Sequence, residues 1–482
     1  MNTQASGRAA RLALAMLVLV ATAWPAGQAA SLSPAVKAFV SFDAPIFAIT
    51  RVRVIDGTGA PAREDQTIVV SGGKILALGD AGTTAIPAGA ETLEMPGHTV
   101  FPGIVGLHDH IFYPAGAAHY NTLEFSAPRL YLACGVTTIR TTGSLEPYTE
   151  LNLKKAIAEG RVPGPRMHVT SPYLEGPGAF TLQMHELSGP AEAVKFVQYW
   201  ESAGVDDFKA YTNIRRDELA AAIKEVHRLG KKLTGHLCSI GFREAAALGI
   251  DDLEHGLIAD TEFAASKKPD VCPSSRDARA AIIDLDLSGP AVRDLIQDLV
   301  AHGVAVTSTL PVFEISVPGR PPLDPRVLEA MSTETRLLYL TQRSRVGETK
   351  DSPMPGLLKR EMEFERMFVK AGGLLIAGPD PTGYGGVLPG FGDQREIELL
   401  VEAGFSAVEA LKIATSNGAR YLGRLDALGT LEAGKLADMV LVKGDPTASI
   451  ADIRKVVTVF KDGIGYDPAK LLEAVRGTAG LR

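Results

Sequence analysis

An α/β fold, specifically a (β/α)8 (TIM) barrel, is predicted for the middle of this chain. Strand-like and helix-like patterns alternate there: VDDFKAY is followed by the amphipathic RDELAAAIKEVHRLG and then by the strand-like KLTGHL. Strands separated by helices form parallel sheets with both faces covered. Residues 101–424, about 300 residues, fit an eight-fold barrel with insertions better than a short open sheet.

Both ends of the chain beyond this region carry β patterns. TRVRVIDG alternates charged and apolar residues, and QTIVVSGGKILALG places two apolar runs around Gly72 and Gly73. Such an arrangement is typical of a β-hairpin. LADMVLVKGDP and VVTVFKDG near the C-terminus predict two further short strands. The simplest interpretation is one small β domain built from residues 44–100 and 425–470.

The first 29 residues are predicted to form a signal peptide. Arg8 and Arg11 precede an apolar run over residues 12–23, and small residues follow it up to Ala30. The run is too short for a stable membrane span. A membrane anchor is the alternative, but no cysteine directly follows the run to carry a lipid. We therefore expect cleavage and a secreted or periplasmic protein that leaves the membrane.

Composition narrows the classes of partner. The chain has 482 residues, of which 46% are hydrophobic and 22% charged, as in ordinary globular proteins. A net charge of −7 gives no electrostatic reason to expect nucleic acid or an anionic membrane as a partner. A small-molecule substrate is expected instead, and homo-oligomerisation stays open.

Three cysteines, Cys134, Cys238 and Cys272, are too few for a disulfide scaffold in a chain of this size. One bridge is compatible with export, but the sequence does not select a pair. Buried free thiols are the favoured expectation.

A histidine pair follows the apolar run in FPGIVGLHDHIFYP. Residues i and i+2 of a strand point to the same face, so His108 and His110 project together while Asp109 points away. If this strand lines a barrel, the pair faces the rim where such folds keep their active sites. By itself the motif is equally compatible with two half-buried polar residues.

Four more polar residues stand within or at the end of predicted strands. Lys209 lies inside VDDFKAY, His236 ends KLTGHL, His255 ends IDDLEHG, and Asp380 follows the apolar part of LLIAGPDPTGYGG. An unpaired lysine is costly to bury, so a strand lysine needs an explanation. The spacings correspond to about one β-α step each, which would bring these side chains to one rim.

This pattern resembles the amidohydrolase superfamily, in its prolidase-like and imidazolonepropionase-like branches. The resemblance includes PGIVGLHDH, GFSAVEALKIATSNGARYLG and the C-terminal LGTLEAGKLADMVLVKGDP, in the family's order. It implies a metal-dependent hydrolase with a (β/α)8 barrel and a β-sandwich assembled from both chain ends.

The resemblance also implies a site for two divalent metal ions bridged by a carbamate, which Lys209 forms with CO2. Imidazole nitrogen and carboxylate oxygen suit Zn²⁺, and other divalent ions stay open. Desolvation lowers the pKa of a lysine, which favours the neutral amine that attacks CO2. The expected metal ligands are His108, His110, Lys209, His236, His255 and Asp380.

The activity that the resemblance implies is cleavage of an amide or peptide C–N bond, as in a dipeptide or an N-acyl amino acid. A hydroxide that bridges the two metal ions would attack the carbonyl, with Asp380 as general acid/base. Tyr211 shares the strand face of Lys209 and is either a hydrogen-bond donor to the substrate or a core tyrosine. His185, in FTLQMHEL, resembles a substrate-binding histidine of relatives.

Other functions are compatible with the same ligand set. The site could hydrolyse a lactone or a phosphotriester, or deaminate a substrate. Lys209 argues against deamination, because many deaminases of the superfamily use one metal ion and lack this lysine. A catalytically silent relative is least favoured, since every ligand position is filled. The sequence does not identify the substrate.

Overall fold

The computed structural model describes residues 31–115, 119–321 and 323–481. The predicted signal peptide, residues 1–29, lies outside the described residues. The strands are β1 (Val40–Phe42), β2 (Ile46–Val54), β3 (Arg63–Ser71), β4 (Lys74–Asp80), β5 (Glu91–Glu94), β6 (His98–Pro102), β7 (Ile104–Asp109), β8 (Phe112–Pro114), β9 (Tyr120–Thr122), β10 (Val136–Thr141), β11 (Arg166–His168), β12 (Thr170–Leu174), β13 (Asp207–Ala210), β14 (Leu233–Gly235), β15 (Asp252–Glu254), β16 (Ala305–Ser308), β17 (Leu375–Ala377), β18 (Met439–Lys443), β19 (Val456–Lys461) and β20 (Ile464–Tyr466).

The α-helices fall mainly between the central strands. They are α1 (Pro34–Lys37), α2 (Ser126–Ala133), α3 (Pro147–Ala158), α4 (Pro190–Ala203), α5 (Arg216–Arg228), α6 (Phe242–Leu248), α7 (Ser275–Asp284), α8 (Pro290–Ala301), α9 (Leu310–Glu314), α10 (Pro325–Ala330), α11 (Thr333–Glu348), α12 (Met354–Lys370), α13 (Phe391–Ala403), α14 (Ala407–Lys412), α15 (Gly418–Tyr421) and α16 (Pro468–Val475). Short 3₁₀ segments at Gly256–Ala259 and Ile450–Arg454 and a π segment at Ile413–Asn417 complete the list.

A mixed sheet joins the two ends of the described chain. Its strands lie in the order β1-β20-β19-β18-β6-β2-β3-β4, and β5 pairs with β2. The predicted hairpin at Gly72 and Gly73 is confirmed: it connects β3 to β4, and both glycines have the positive φ that the tight turn requires. We call this nine-stranded sheet, formed by β1–β6 and β18–β20, the mixed sheet. The predicted β-sandwich and its boundaries at 44–100 and 425–470 stay predictions.

The central strands form two parallel sheets. The first has the order β11-β10-β7 and the second the order β12-β13-β14-β15-β16-β17. Helices α4, α5 and α6 connect successive strands from β12 to β15, as the alternating pattern predicts. The α/β class with parallel sheets is confirmed, while the closed barrel over 101–424 stays a prediction.

The cysteines differ from the expectation of free thiols. Cys238 and Cys272 form a disulfide, and Cys134 is free and buried. The bridge links the segment after β14 to the segment after the Gly256–Ala259 turn, two segments whose proximity a linear sequence does not reveal. Among the described residues, no helix combines the length and the apolar content needed to span a bilayer.

Candidate active site

The predicted metal ligands stand at the carboxyl ends of the parallel strands. His108 lies near the end of β7, Lys209 lies within β13, and His236 and His255 directly follow β14 and β15. Asp380 comes three residues after the end of β17. Since the carboxyl ends of parallel strands meet at one edge, this placement brings distant parts of the sequence together.

Asp380 is the residue around which the histidines gather. Its Oδ1 lies 3.2 Å from His110 Nε2 and 3.6 Å from His108 Nε2, and its Oδ2 lies 4.0 Å from His255 Nδ1. The rings of His236 and His255 are 4.2 Å apart between centroids. Each side chain is buried except that of His236, which is partly exposed.

An unusual backbone conformation sets the direction of two of these side chains. His255 has a φ of 69° and Asp380 a φ of 50°, both in the left-handed region that residues other than glycine seldom adopt. Such conformations occur at functional sites, where the surrounding structure holds them in place. The chain leaves the direction of β15 at His255, whereas Asp380 lies in the segment that follows β17.

A carboxylate contacts His108, a hydroxyl hydrogen-bonds His255, and the other ring nitrogen of His255 is open. His108 Nδ1 contacts the carboxylate of Glu254, and Thr309 Oγ1 lies 2.8 Å from His255 Nδ1. His255 Nε2 is buried and has no hydrogen-bond partner among the described residues. A second ring nitrogen held by a carboxylate or hydroxyl is the usual arrangement for a metal-binding histidine.

Burial favours the neutral form of His110, His236 and His255. It lowers the pKa of His236 to about 3, with the nearby Lys209 adding to the effect, and it lowers the pKa values of His110 and His255. Burial alone would raise the pKa of Asp380, but His108 and the other histidines hold it well below its ordinary value. Neutral imidazoles beside an ionised carboxylate are the protonation states that bind a divalent cation.

Two overlapping groups of side chains have the spacing of a metal site. In each group, one candidate ligand atom per residue lies within 4.8 Å of the others. The groups are His108, His110 and Asp380, and His108, Glu254 and His255. Nitrogen and carboxylate oxygen donors, all buried, with an open His255 Nε2, fit a divalent metal ion of the Zn²⁺ type.

Lys209 is paired with a glutamate that the sequence analysis did not identify. Its Nζ lies 2.6 Å from Glu254 Oε2, and both side chains are buried. Burial lowers the pKa of Lys209, against the opposing effect of Glu254. Burial would raise the pKa of Glu254, but His108 and Lys209 together hold it well below its ordinary value.

Arg140 and Asp252 extend this pair into a buried charged network. Arg140 Nη2 lies 2.8 Å from Asp252 Oδ2 and 3.3 Å from Glu254 Oε1. Thr307 Oγ1 lies 2.9 Å from both carboxylate oxygens of Asp252. Sequence reasoning missed all three charged residues, although the i, i+2 spacing of Asp252 and Glu254 in IDDLEHG predicts that they share one strand face.

The two remaining predicted site residues have different surroundings. The Tyr211 ring lies 5.1 Å from the His236 ring and 4.6 Å from the Tyr173 ring, between centroids, so it borders the cluster. His185 Nε2 lies 2.8 Å from a carboxylate oxygen of Glu192, and its side chain is 57% exposed. Within the described residues, its contacts do not include the metal-ligand candidates.

The chain is similar to one protein family and to several solved structures. Residues 380–464 match the model of the amidohydrolase family. A search of curated protein sequences gives no match. A solved structure from Bifidobacterium longum, assigned as a prolidase, is 25% identical, with a TM-score of 0.65 over 89% of this chain and 98% of that chain.

Two further solved structures share the fold. A Xaa-Pro dipeptidase is 19% identical, covering 88% of this chain and 100% of its own, with a TM-score of 0.65. The bottromycin amidohydrolase is 21% identical, covering 94% of this chain and 95% of its own, with a TM-score of 0.66. Over residues 380–464 the chain is therefore similar to the amidohydrolase family, and over most of its length it shares the fold of these three solved structures.

Proposed function

We propose that this protein is an exported, metal-dependent hydrolase that cleaves an amide or peptide C–N bond in a small molecule. The observation that carries the proposal is the meeting of His108, His110 and His255 around Asp380. Histidines gathered around an ionised carboxylate, drawn from strands far apart in sequence, are hard to assign to packing alone.

The metal ligands proposed for this chain are those of the sequence analysis. His108, His110, His236 and His255 would supply nitrogen, and Asp380 oxygen, to two divalent ions. Such ions, when bound, lower the pKa of water and polarise a carbonyl group. Donors of this type suit Zn²⁺.

Lys209 is proposed to carry the bridging carbamate. Its Nζ would form a bond to the carbon of CO2 and lose a proton, and this reaction requires a neutral amine. Burial of Lys209 supports that state, because desolvation penalises the ammonium form. Glu254, now 2.6 Å from Nζ, would have to release the amine on carbamylation.

Asp380 is proposed to move the proton during hydrolysis. It would accept a proton from the attacking water and deliver it to the leaving nitrogen, because an amine leaves poorly without one. Its low pKa favours the ionised form that begins this cycle. Thr382, whose Oγ1 donates to Asp380 Oδ1 at 2.8 Å, would hold the carboxylate in position.

The closed barrel belongs to this proposal. The backbone N–H of Asp380, after the last parallel strand, donates to the carbonyl of His108 on β7 at 3.0 Å. Ser144 and Pro172 form a parallel bridge between the segment that follows β10 and β12. These two contacts support the joining of both parallel sheets into one (β/α)8 barrel, with the rim as the active-site face.

Export is supported by two features. The first 29 residues have the pattern of a signal peptide, and Cys238 forms a disulfide with Cys272. Structural disulfides persist mainly in oxidising compartments outside the cytosol. A secreted or periplasmic location follows, and it would suit breakdown of an external amide.

Metal analysis and a substrate screen test the proposed function. We expect about two divalent ions per chain and turnover of dipeptides or N-acyl amino acids, lost on chelation and restored by Zn²⁺. Lactones and phosphotriesters form the comparison set. Cleavage of those esters alone, or turnover that survives complete metal removal, would contradict the amidohydrolase assignment.

A further inference from the structure

A closed circuit of neighbouring rings runs through the candidate site. Consecutive ring centroids around the circuit are between 4.2 and 5.8 Å apart. Half of the rings are candidate metal ligands and half are aromatic side chains. In order, the members are His110, Phe112, Tyr120, Phe180, Tyr211, His236, His255 and His108.

The aromatic half of the circuit comes from separate segments at the strand ends. Phe112 and Tyr120 lie in the β8–β9 hairpin that follows β7, Phe180 lies in the loop after β12, and Tyr211 follows β13. Phe112 stacks on the metal-ligand candidate His110 at 4.3 Å between centroids. The aromatic wall is therefore continuous with the metal ligands.

Exposure increases along this wall from the metal ligands outward. Phe112 is buried, Tyr120 and Tyr211 are partly buried, and Phe180 is 44% exposed. Leu182, two residues beyond Phe180, is fully exposed at the tip of the same loop. An apolar surface that leads from solvent to a reacting centre is the usual form of a hydrophobic binding pocket.

The polar groups of the wall are neutral and available. The hydroxyls of Tyr120 and Tyr211 make no hydrogen bond to another described residue. In the described part of the chain, no lysine or arginine lies over any ring of the wall. The wall thus suits an uncharged, apolar group. The tyrosine hydroxyls are available for hydrogen bonds to a ligand.

We propose that Phe112, Tyr120, Phe180 and Tyr211 bind a bulky apolar group of the substrate, aromatic or large aliphatic, next to the scissile bond. This inference rests on the proposed function and adds the substrate class to it. Amides with small or charged groups at this position are poor substrates, because they leave the wall hydrated. Hydrophobic pockets discriminate between such substrates by about 10–200-fold.

Two dipeptide series test the proposal on the metal-loaded full chain. X-Ala and Ala-X dipeptides, with X as Gly, Ala, Leu, Phe, Glu or Lys, place the variable side chain on either side of the bond. We expect kcat/KM to rise at least about tenfold from Gly to Phe in one series, with Glu and Lys at the low end. A flat profile in both series would overturn the inference.

Substitution of the wall supplies the second measurement. Phe180→Ala should lower kcat/KM for the Phe dipeptide about tenfold, with less than about twofold change for the Gly dipeptide and no loss of metal. Tyr148→Ala, an exposed aromatic substitution on α3, is the matched control and should change neither rate. Equal losses on both dipeptides would contradict a side-chain pocket.

Calorimetric titration separates this inference from the proposed function. The metal-loaded Asp380→Asn variant, in which turnover of amides should be slow, is titrated with N-acetyl-phenylalanine amide and N-acetyl-glycine amide. If no dipeptide is cleaved but the phenylalanine compound binds at least tenfold more tightly and Phe180→Ala removes the difference, the pocket stands and the amidohydrolase activity fails. Equal binding of both compounds overturns the pocket whatever the activity.

Discussion

The interior of the mixed sheet and the interior of the parallel sheets are built from different kinds of residue. In the mixed sheet, apolar side chains from both chain ends pack together, among them Phe47, Ile49, Met439 and Phe460. Hydrophobic burial stabilises such a core without any need for exact charge pairing. We interpret the mixed sheet as a region that mainly stabilises the folded protein.

The parallel sheets bury charge. Arg140, Lys209, Asp252 and Glu254 are all almost fully inaccessible, and they contact one another directly beneath the histidines. Buried ion pairs often cost as much in desolvation as they gain in attraction. The difference between the two regions is that the parallel sheets carry a costly group of buried charges next to the candidate metal ligands, whereas the core of the mixed sheet is apolar.

The largest expected effect is on catalysis and follows from Asp380→Asn. The amide keeps the size of the side chain but cannot carry the proton, so kcat on an amide should fall about 10²–10⁴-fold. An activated aryl ester with a good leaving group needs that proton less and should lose less activity. Steady-state rates on both substrates, for wild type and variant, provide the measurement.

Metal content and thermal stability of the Asp380→Asn variant are the controls. Both should change little, because the amide oxygen can still approach a metal ion. Equal losses on the amide and on the ester would show that Asp380 acts as a ligand or base only, and its role in proton delivery would then be wrong.

The strands that carry the predicted ligands were accessible from sequence alone. VDDFKAY, KLTGHL and IDDLEHG each combine a short apolar run with a polar terminus, and the structure has strands at all three. This worked because buried parallel strands are short apolar segments whose ends meet at one edge. The same reasoning identified Asp380 after β17.

The charged network was not predictable in the same way. Arg140 and its partner Asp252 are 112 residues apart, and no local pattern specifies that pairing. In IDDLEHG, strict strand alternation would place His255 on the face opposite Glu254, but the positive φ of His255 changes its direction. Pairing across the fold and a local break in strand geometry both depend on tertiary structure.

The second largest effect should be on the free energy of unfolding. It tests directly whether the buried charges of the parallel sheets depend on one another. Arg140→Met leaves Asp252 buried without its cation and Glu254 with Lys209 alone, and breaking such a pair typically costs about 3–5 kcal/mol. The matched substitution in the mixed sheet is Arg53→Met, where the partly exposed Arg53 pairs with the exposed Glu64 and the partly exposed Asp445 near the surface. Surface pairs contribute about 0–1 kcal/mol, so that variant should unfold near the wild-type denaturant concentration.

Urea unfolding of wild type, Arg140→Met and Arg53→Met measures this difference. A similar shift for the two variants would mean that the buried network is no more demanding than a surface ion pair. The comparison between the regions would then lose its energetic basis.

A smaller effect is expected on metal affinity from Glu254→Gln. Glu254 holds His108 through Nδ1, and loss of such a supporting carboxylate typically weakens metal binding about 10–100-fold. Competition with a chelator of known affinity measures the change. Glu64→Gln, on an exposed residue of the mixed sheet, is the control and should leave metal affinity unaltered.

The smallest expected effect comes from removing one methylene group in each region. Ile49 in the mixed sheet and Ile376 in β17 are both fully buried, so Ile49→Val and Ile376→Val should each cost about 0.5–1.5 kcal/mol. Their consequences for activity should differ. Ile376 lies four residues before Asp380 on the strand that positions it, so a cavity there should lower kcat a few-fold, whereas Ile49→Val should leave kcat unchanged. Unfolding and steady-state rates on the same preparations test this. If both variants lose stability and neither loses activity, the packing of β17 does not set the position of Asp380, and the apolar interior is equally remote from catalysis in both regions.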